Sequence, residues 1–125
     1  MKNRILPLIL ALAMLLAACG GSGTDSDAGE ELFTQSVIGS QSGCATCHSL
    51  EPGVIVIGPP AAGVGSRAAA AVSGQSAEAY LRESITAPDA HIAEGFAASI
   101  MPQKYAEELS AEQIDQLVAY MLTLE

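Results

Sequence analysis

Apolar residues near the C-terminal end of the chain recur with a helical period. Ile114, Leu117, Val118, Met121 and Leu122 fall at i, i+3, i+4, i+7 and i+8, which places one apolar stripe along a single helix. Ser110-Ala111-Glu112-Gln113 is a capping box at its start, with Leu109 and Ile114 as the hydrophobic pair on either side of the cap. Met121 lies on the stripe and is most simply core. A second helix begins near Ser76, buries Leu81 and Ile85 four residues apart, and must stop before Pro88, whose ring disfavours helical geometry in the residue before it. A short first helix starts at about Asp27. No segment alternates apolar and polar positions convincingly, and "GVIVIG" (residues 53–58) is the one strand-like piece. The pattern predicts an all-α fold with long connections.

The first quarter of the chain follows a different pattern. Lys2 and Arg4 precede an apolar run from Ile5 to Ala18, after which small and polar residues take over, the layout of an export signal. The run is too short for a lasting transmembrane helix. Its end, Leu16-Ala17-Ala18-Cys19, resembles the bacterial lipobox, whose cysteine becomes the lipidated first residue of the mature protein. On that resemblance residues 1–18 are a lipoprotein signal peptide and Cys19 is acylated. The alternative is an ordinary secretory signal with an incidental cysteine. Lipidation accounts for the odd total of three cysteines by leaving Cys44 and Cys47 as the only pair. With ~0.8 kcal/mol per buried methylene, two or three acyl chains would hold the protein stably on a bilayer. The glycine-rich, polar residues 19–28 read as a flexible tether, and residues 29–125 as the folded domain.

Composition changes once the signal is removed. The remaining 107 residues suffice for one domain, and much of the 50% hydrophobic content belongs to the discarded peptide. Three basic residues (Arg67, Arg82, Lys104) face fourteen acidic ones, a formal charge of −11. Such a surface argues against nucleic acid and against electrostatic adhesion to anionic lipid. It fits either a protein partner with a basic docking face or a charge that serves solubility alone.

Cys44-Ala45-Thr46-Cys47-His48 carries the candidate chemistry. A structural zinc site needs four ligands, and the one other histidine, His91, stands alone. A thioredoxin-type redox pair needs a strand–helix–strand unit around it, and none is visible. The third possibility is haem c attachment: two thioethers from the cysteine sulfurs, with the adjacent histidine as proximal iron ligand. One helical turn carries both sulfurs to one edge of the macrocycle and leaves the next side chain for the iron. For the sixth position, the candidates are His91, Met101 and Met121, or an open site. Met101 sits in the non-periodic "AASIMPQKY", where Pro102 makes the preceding backbone extended, a shape that suits a ligand delivered from a loop.

On these residues the chain resembles a small class I, monohaem cytochrome c in an exported bacterial lipoprotein form. The likeness spans about residues 27–125 and rests on separated matches: "GEELF" (29–33), "CATCH" (44–48), "GPPAAGVGSR" (58–67), "MP" (101–102) and "LVAY" (117–120). The resemblance implies a small cytochrome c fold, three to five helices wrapped around one haem c held covalently through Cys44 and Cys47. It further implies that the Pro59 carbonyl accepts a hydrogen bond from the His48 imidazole, that Arg67 lies near a haem propionate, and that Met101 is the second axial ligand. Leu117 and Tyr120 would cross Gly29 and Phe33, and "GVIVIG" would be loop. With only five aromatic residues, the domain would draw much of its core from the haem.

The function implied is that of an electron carrier rather than an enzyme. It would be tethered through Cys19 at the periplasmic or outer face of the cell membrane, passing single electrons between redox proteins of a respiratory or photosynthetic chain. The alternatives are a haem subunit permanently docked in a larger oxidoreductase complex, and a ligand-binding or peroxidase-like haem domain with a vacant or labile sixth site.

Overall fold

The computed structural model describes residues 24–125. The expected signal peptide and Cys19 lie outside the described residues. Helix α1 runs Asp25–Thr34, and a two-stranded antiparallel hairpin, β1 (Val37–Ile38) and β2 (Gln41–Ser42), follows it. Helix α2 (Cys44–Cys47) is a single turn, and α3 spans Val64–Ala68. Helix α4 spans Ala77–Thr86 and leads through a 3₁₀ turn, Pro88–Ala90, into a long loop. The single-turn α5 (Tyr105–Glu108) and the terminal α6 (Ala111–Thr123) complete the domain. The fold is all-α, with four helices longer than one turn and two single-turn ones among the described residues.

The helix signals act as the pattern requires. Ser110 Oγ accepts from Gln113 N, and the Gln113 side chain accepts from Ser110 N, so the capping box closes α6 at both donors. Ile114, Leu117, Val118 and Tyr120 are its buried face, whereas Met121 is half-buried and Leu122, expected on the same stripe, is exposed near the chain end. Ser76 caps α4 by accepting from Ala79 N, and Leu81 and Ile85 are buried as expected. Helix α1, however, begins at Asp25 rather than Asp27, four residues inside the stretch expected to be tether. Thr24 and Asp27 form a second capping box there, and hydrogen bonding to Thr24 holds the Asp27 carboxyl below the usual carboxylate range. Residues 54–57 are loop, as the resemblance implied, and all four of their side chains are exposed.

Helices α1 and α6 cross at Gly29, and this contact organises the domain. A Cβ on Gly29 would lie 2.0 Å from Gln116 O and 2.7 Å from Tyr120 Cβ, so only glycine lets the two backbones meet. Beside it the Phe33 and Tyr120 rings pack at 5.5 Å between centroids, and Leu117 is fully buried. The expected crossing of Gly29 and Phe33 by Leu117 and Tyr120 is what the structure shows. Because the colliding atoms are backbone, Gly29→Ala is expected to cost about 1–3 kcal/mol through overpacking, lowering the thermal midpoint by several degrees. An unchanged unfolding midpoint of the haem-loaded variant would contradict this packing.

Candidate functional site

The single turn of α2 sets the geometry of the motif. His48 N donates to Cys44 O at 2.9 Å, so the chain from Cys44 to His48 closes one helical turn. The strap that follows folds back on it, with Gly58 N donating to Cys47 O at 3.0 Å. Gly58 packs directly against the imidazole: a Cβ there would be 2.6 Å from His48 Cε1. One residue on, His48 Nδ1 lies 2.8 Å from Pro59 O. A carbonyl only accepts, so Nδ1 carries the proton, and the neutral ring then has its lone pair on Nε2, the state in which an imidazole ligates metal.

These residues open onto a cavity of about 470 Å³. All six site residues expected from the sequence line it: Cys44, Cys47, His48, Pro59, Arg67 and the half-buried Met101. The two other candidates for a sixth ligand, His91 and Met121, line it as well. Much of the remaining wall is apolar, with Phe33, Leu81, Ile85 and Leu117 from the helices, and Ile92, Phe96 and Ile100 from the loop before Met101. Arg67 donates to the carbonyls of Ala62 and Pro60 and so clamps the backbone next to Pro59. Two of its donors are therefore committed to the strap, a role that sequence alone did not suggest.

Tyr105 is a wall residue that the sequence reading passed over. Its hydroxyl donates to Ser42 O at 2.6 Å, tying α5 to the hairpin beside the motif. Burial above all, and then the charges of Cys44 and Cys47, push its phenol up to about 12. It is thus a fixed hydrogen-bond donor rather than a proton source. The available signal was an aromatic three residues after Pro102 in a chain with few aromatics. Tyr80 is a second such residue, meeting the His91 ring edge-on at 5.6 Å.

The competing chemistries fare differently. Among the described residues no three His, Cys, Asp or Glu side chains cluster to hold a metal ion, so zinc finds no donor set. Cys44 and Cys47 are not bonded to each other, and burial pushes the Cys44 thiol up to about 11. A dithiol oxidoreductase needs the opposite shift, toward thiolate at neutral pH. A large, mostly apolar cavity with two thiols at one edge, an Nε2 lone pair and a thioether on its walls suits a porphyrin. Its donor set matches what covalent haem attachment requires.

An all-α domain closed around such a cavity is of the haem c class. The family profile for cytochrome c matches residues 26–125, while comparison with curated proteins found no match. The chain belongs to the cytochrome c family. Its cofactor is haem c, bound through the pair Cys44 and Cys47, and its general role is that of a haem electron carrier.

Proposed function

We propose that this protein is a membrane-tethered class I cytochrome c with a single haem, which shuttles one electron at a time between redox proteins outside the cytoplasmic membrane. The observation that carries this reading is the convergence of His48 and Met101 on the cavity that both cysteines border. Haem with both axial positions filled supplies a site that gains and loses one electron without binding substrate.

The chain's own residues do the rest. Cys44 and Cys47 would fasten the group, and His48 would ligate through Nε2. The Pro59 carbonyl, by accepting from Nδ1–H, fixes the tautomer and raises the basicity of the ring. Met101 would offer a soft thioether, which favours the ferrous state and raises the potential. Leu81, Ile85 and Leu117 keep water from the wall, penalising the extra charge of the ferric state.

Tethering through acylated Cys19 rests on the lipobox-like residues 16–19. No helix among the described residues is long and apolar enough to cross a membrane. With fourteen acidic against three basic residues in the mature chain, the fitting partner presents a basic docking face. Permanent docking in a larger complex uses the same haem chemistry; detergent extraction separates the two, since a carrier leaves the membrane alone.

Reduced holoprotein exposed to carbon monoxide should keep its spectrum, because the sixth position is filled. Stoichiometric uptake would instead identify a ligand-binding haem domain. In the same preparation Cys19→Ser is expected to move the protein from the membrane to the soluble fraction. Retention of the variant on the membrane would sink the lipid anchor.

A further inference from the structure

Among the described residues, the loop that carries Met101 is hydrogen-bonded to the rest of the domain through one side chain, beside the packing of Met101 on the core. Ser99 N donates to Asp89 Oδ1 at 2.8 Å, and Ser99 Oγ donates to Asp89 Oδ2 at 3.0 Å, so both carboxylate oxygens are used by one residue ten positions away. Elsewhere in residues 92–103 the hydrogen bonds are internal, Phe96 N to Ala93 O and Gln103 Nε2 to Met101 O. Among the described residues, Asp89 is the only hydrogen-bonding partner this segment finds outside itself. Asp89 in turn is fixed. It follows the buried Pro88 in the 3₁₀ turn at the end of α4, whose Leu81 and Ile85 are in the core.

The clasp also holds an unfavourable backbone. Ser99 has φ 61, the one non-glycine residue with positive φ among the described residues, in the left-handed region that side chains disfavour. Such a conformation persists where surrounding contacts over-determine it, and here the contacts in place are the two bonds to Asp89. Two residues further on is Met101.

We propose that Asp89 is a positioning residue for the sixth ligand: by clasping Ser99 it presents the Met101 thioether to the haem cavity. The inference rests on Met101 being the axial donor. Partners that orient a metal ligand are commonly worth tenfold to a hundredfold in ligand affinity. Asp89 and Ser99 are both exposed, so substitutions there leave the helical core intact.

The test uses ferric holoprotein of wild type, Asp89→Ala, Asp89→Asn and Ser99→Ala. The far-red band of sulfur ligation is recorded, and added imidazole is titrated as a competitor for the sixth position. Asp89→Ala should weaken the band and bind imidazole about tenfold more tightly or better. Ser99→Ala, which removes one of the two bonds, should shift both in the same direction by less, and it keeps the test alive should Asp89→Ala fail to mature. Asp89→Asn should recover most of the wild-type behaviour, since its amide still accepts from Ser99 N–H and bonds the hydroxyl. Wild-type band and imidazole affinity within twofold in Asp89→Ala would overturn the clasp. A wild-type protein lacking the band removes the Met101 assignment itself, and this proposal with it.

Discussion

Replacing both Cys44 and Cys47 by alanine is expected to yield a largely unfolded chain. Without attachment the cavity of about 470 Å³ has no occupant, and its apolar wall, with Phe33, Leu81, Ile85 and Leu117, would face water instead of the macrocycle. Ordinary domains are stable by only about 5–15 kcal/mol, so exposing that wall weighs heavily. Little else compensates. Among the described residues the buried apolar set comprises thirteen residues, two of them alanines, and several of the others, Phe33, Leu81, Ile85, Tyr105 and Leu117, form the cavity wall itself. Far-UV circular dichroism of the double variant should show most helix lost and no cooperative thermal transition. A native-like spectrum with a sharp transition would contradict the haem as the missing part of the core.

Met101→Ala is expected to have the largest effect on redox behaviour. Under the ligation proposed above, removing the thioether would open one axial position while leaving His48, its Pro59 partner and the cysteine pair untouched. The ferric far-red band should vanish, and carbon monoxide should then bind the reduced form. The potential should fall by on the order of 0.1 V, a modest part of the ≈ 0.8 V span that axial ligands control. For a one-electron couple each 59 mV is tenfold in the equilibrium constant, so such a fall changes the equilibrium of electron transfer to an acceptor by more than an order of magnitude. Spectroelectrochemistry checks both effects together. An unchanged spectrum and potential would transfer the sixth position to another side chain, with His91 the first candidate on the same cavity wall.

The parts of the fold legible in the sequence were those governed by local rules. The Ser110 capping box, the stripe from Ile114 to Val118 and the stop at Pro88 each follow from residues within one or two turns. The structure places the corresponding boundaries at Ala111 and Thr86. The start of α1 was harder because Thr24 and Asp27 lie in a polar, glycine-rich stretch, where a capping box looks like tether. The β1–β2 hairpin was missed since two-residue strands are too short to show alternation.

The site divides in the same way. Cys44, Cys47 and His48 are fixed to one another by a single turn, so their spacing alone discloses them. Pro59 and Arg67 came from resemblance, Met101 from its loop setting before Pro102 as well as from resemblance, and all three border the cavity. What no local pattern could reveal depends on contacts across the fold: Arg67 committed to the carbonyls of Pro60 and Ala62, Tyr105 reaching Ser42, and Asp89 reaching Ser99. Each joins residues between five and more than sixty positions apart, and such pairings leave no periodic trace in a single sequence.

The most direct measurement is the intact mass of protein matured in a host equipped for haem attachment, taken after acid extraction strips any loosely held cofactor. A single species heavier by one haem, with the gain abolished when both Cys44 and Cys47 are replaced, is the predicted result. A mass equal to that of the bare polypeptide would contradict covalent haem c at this site.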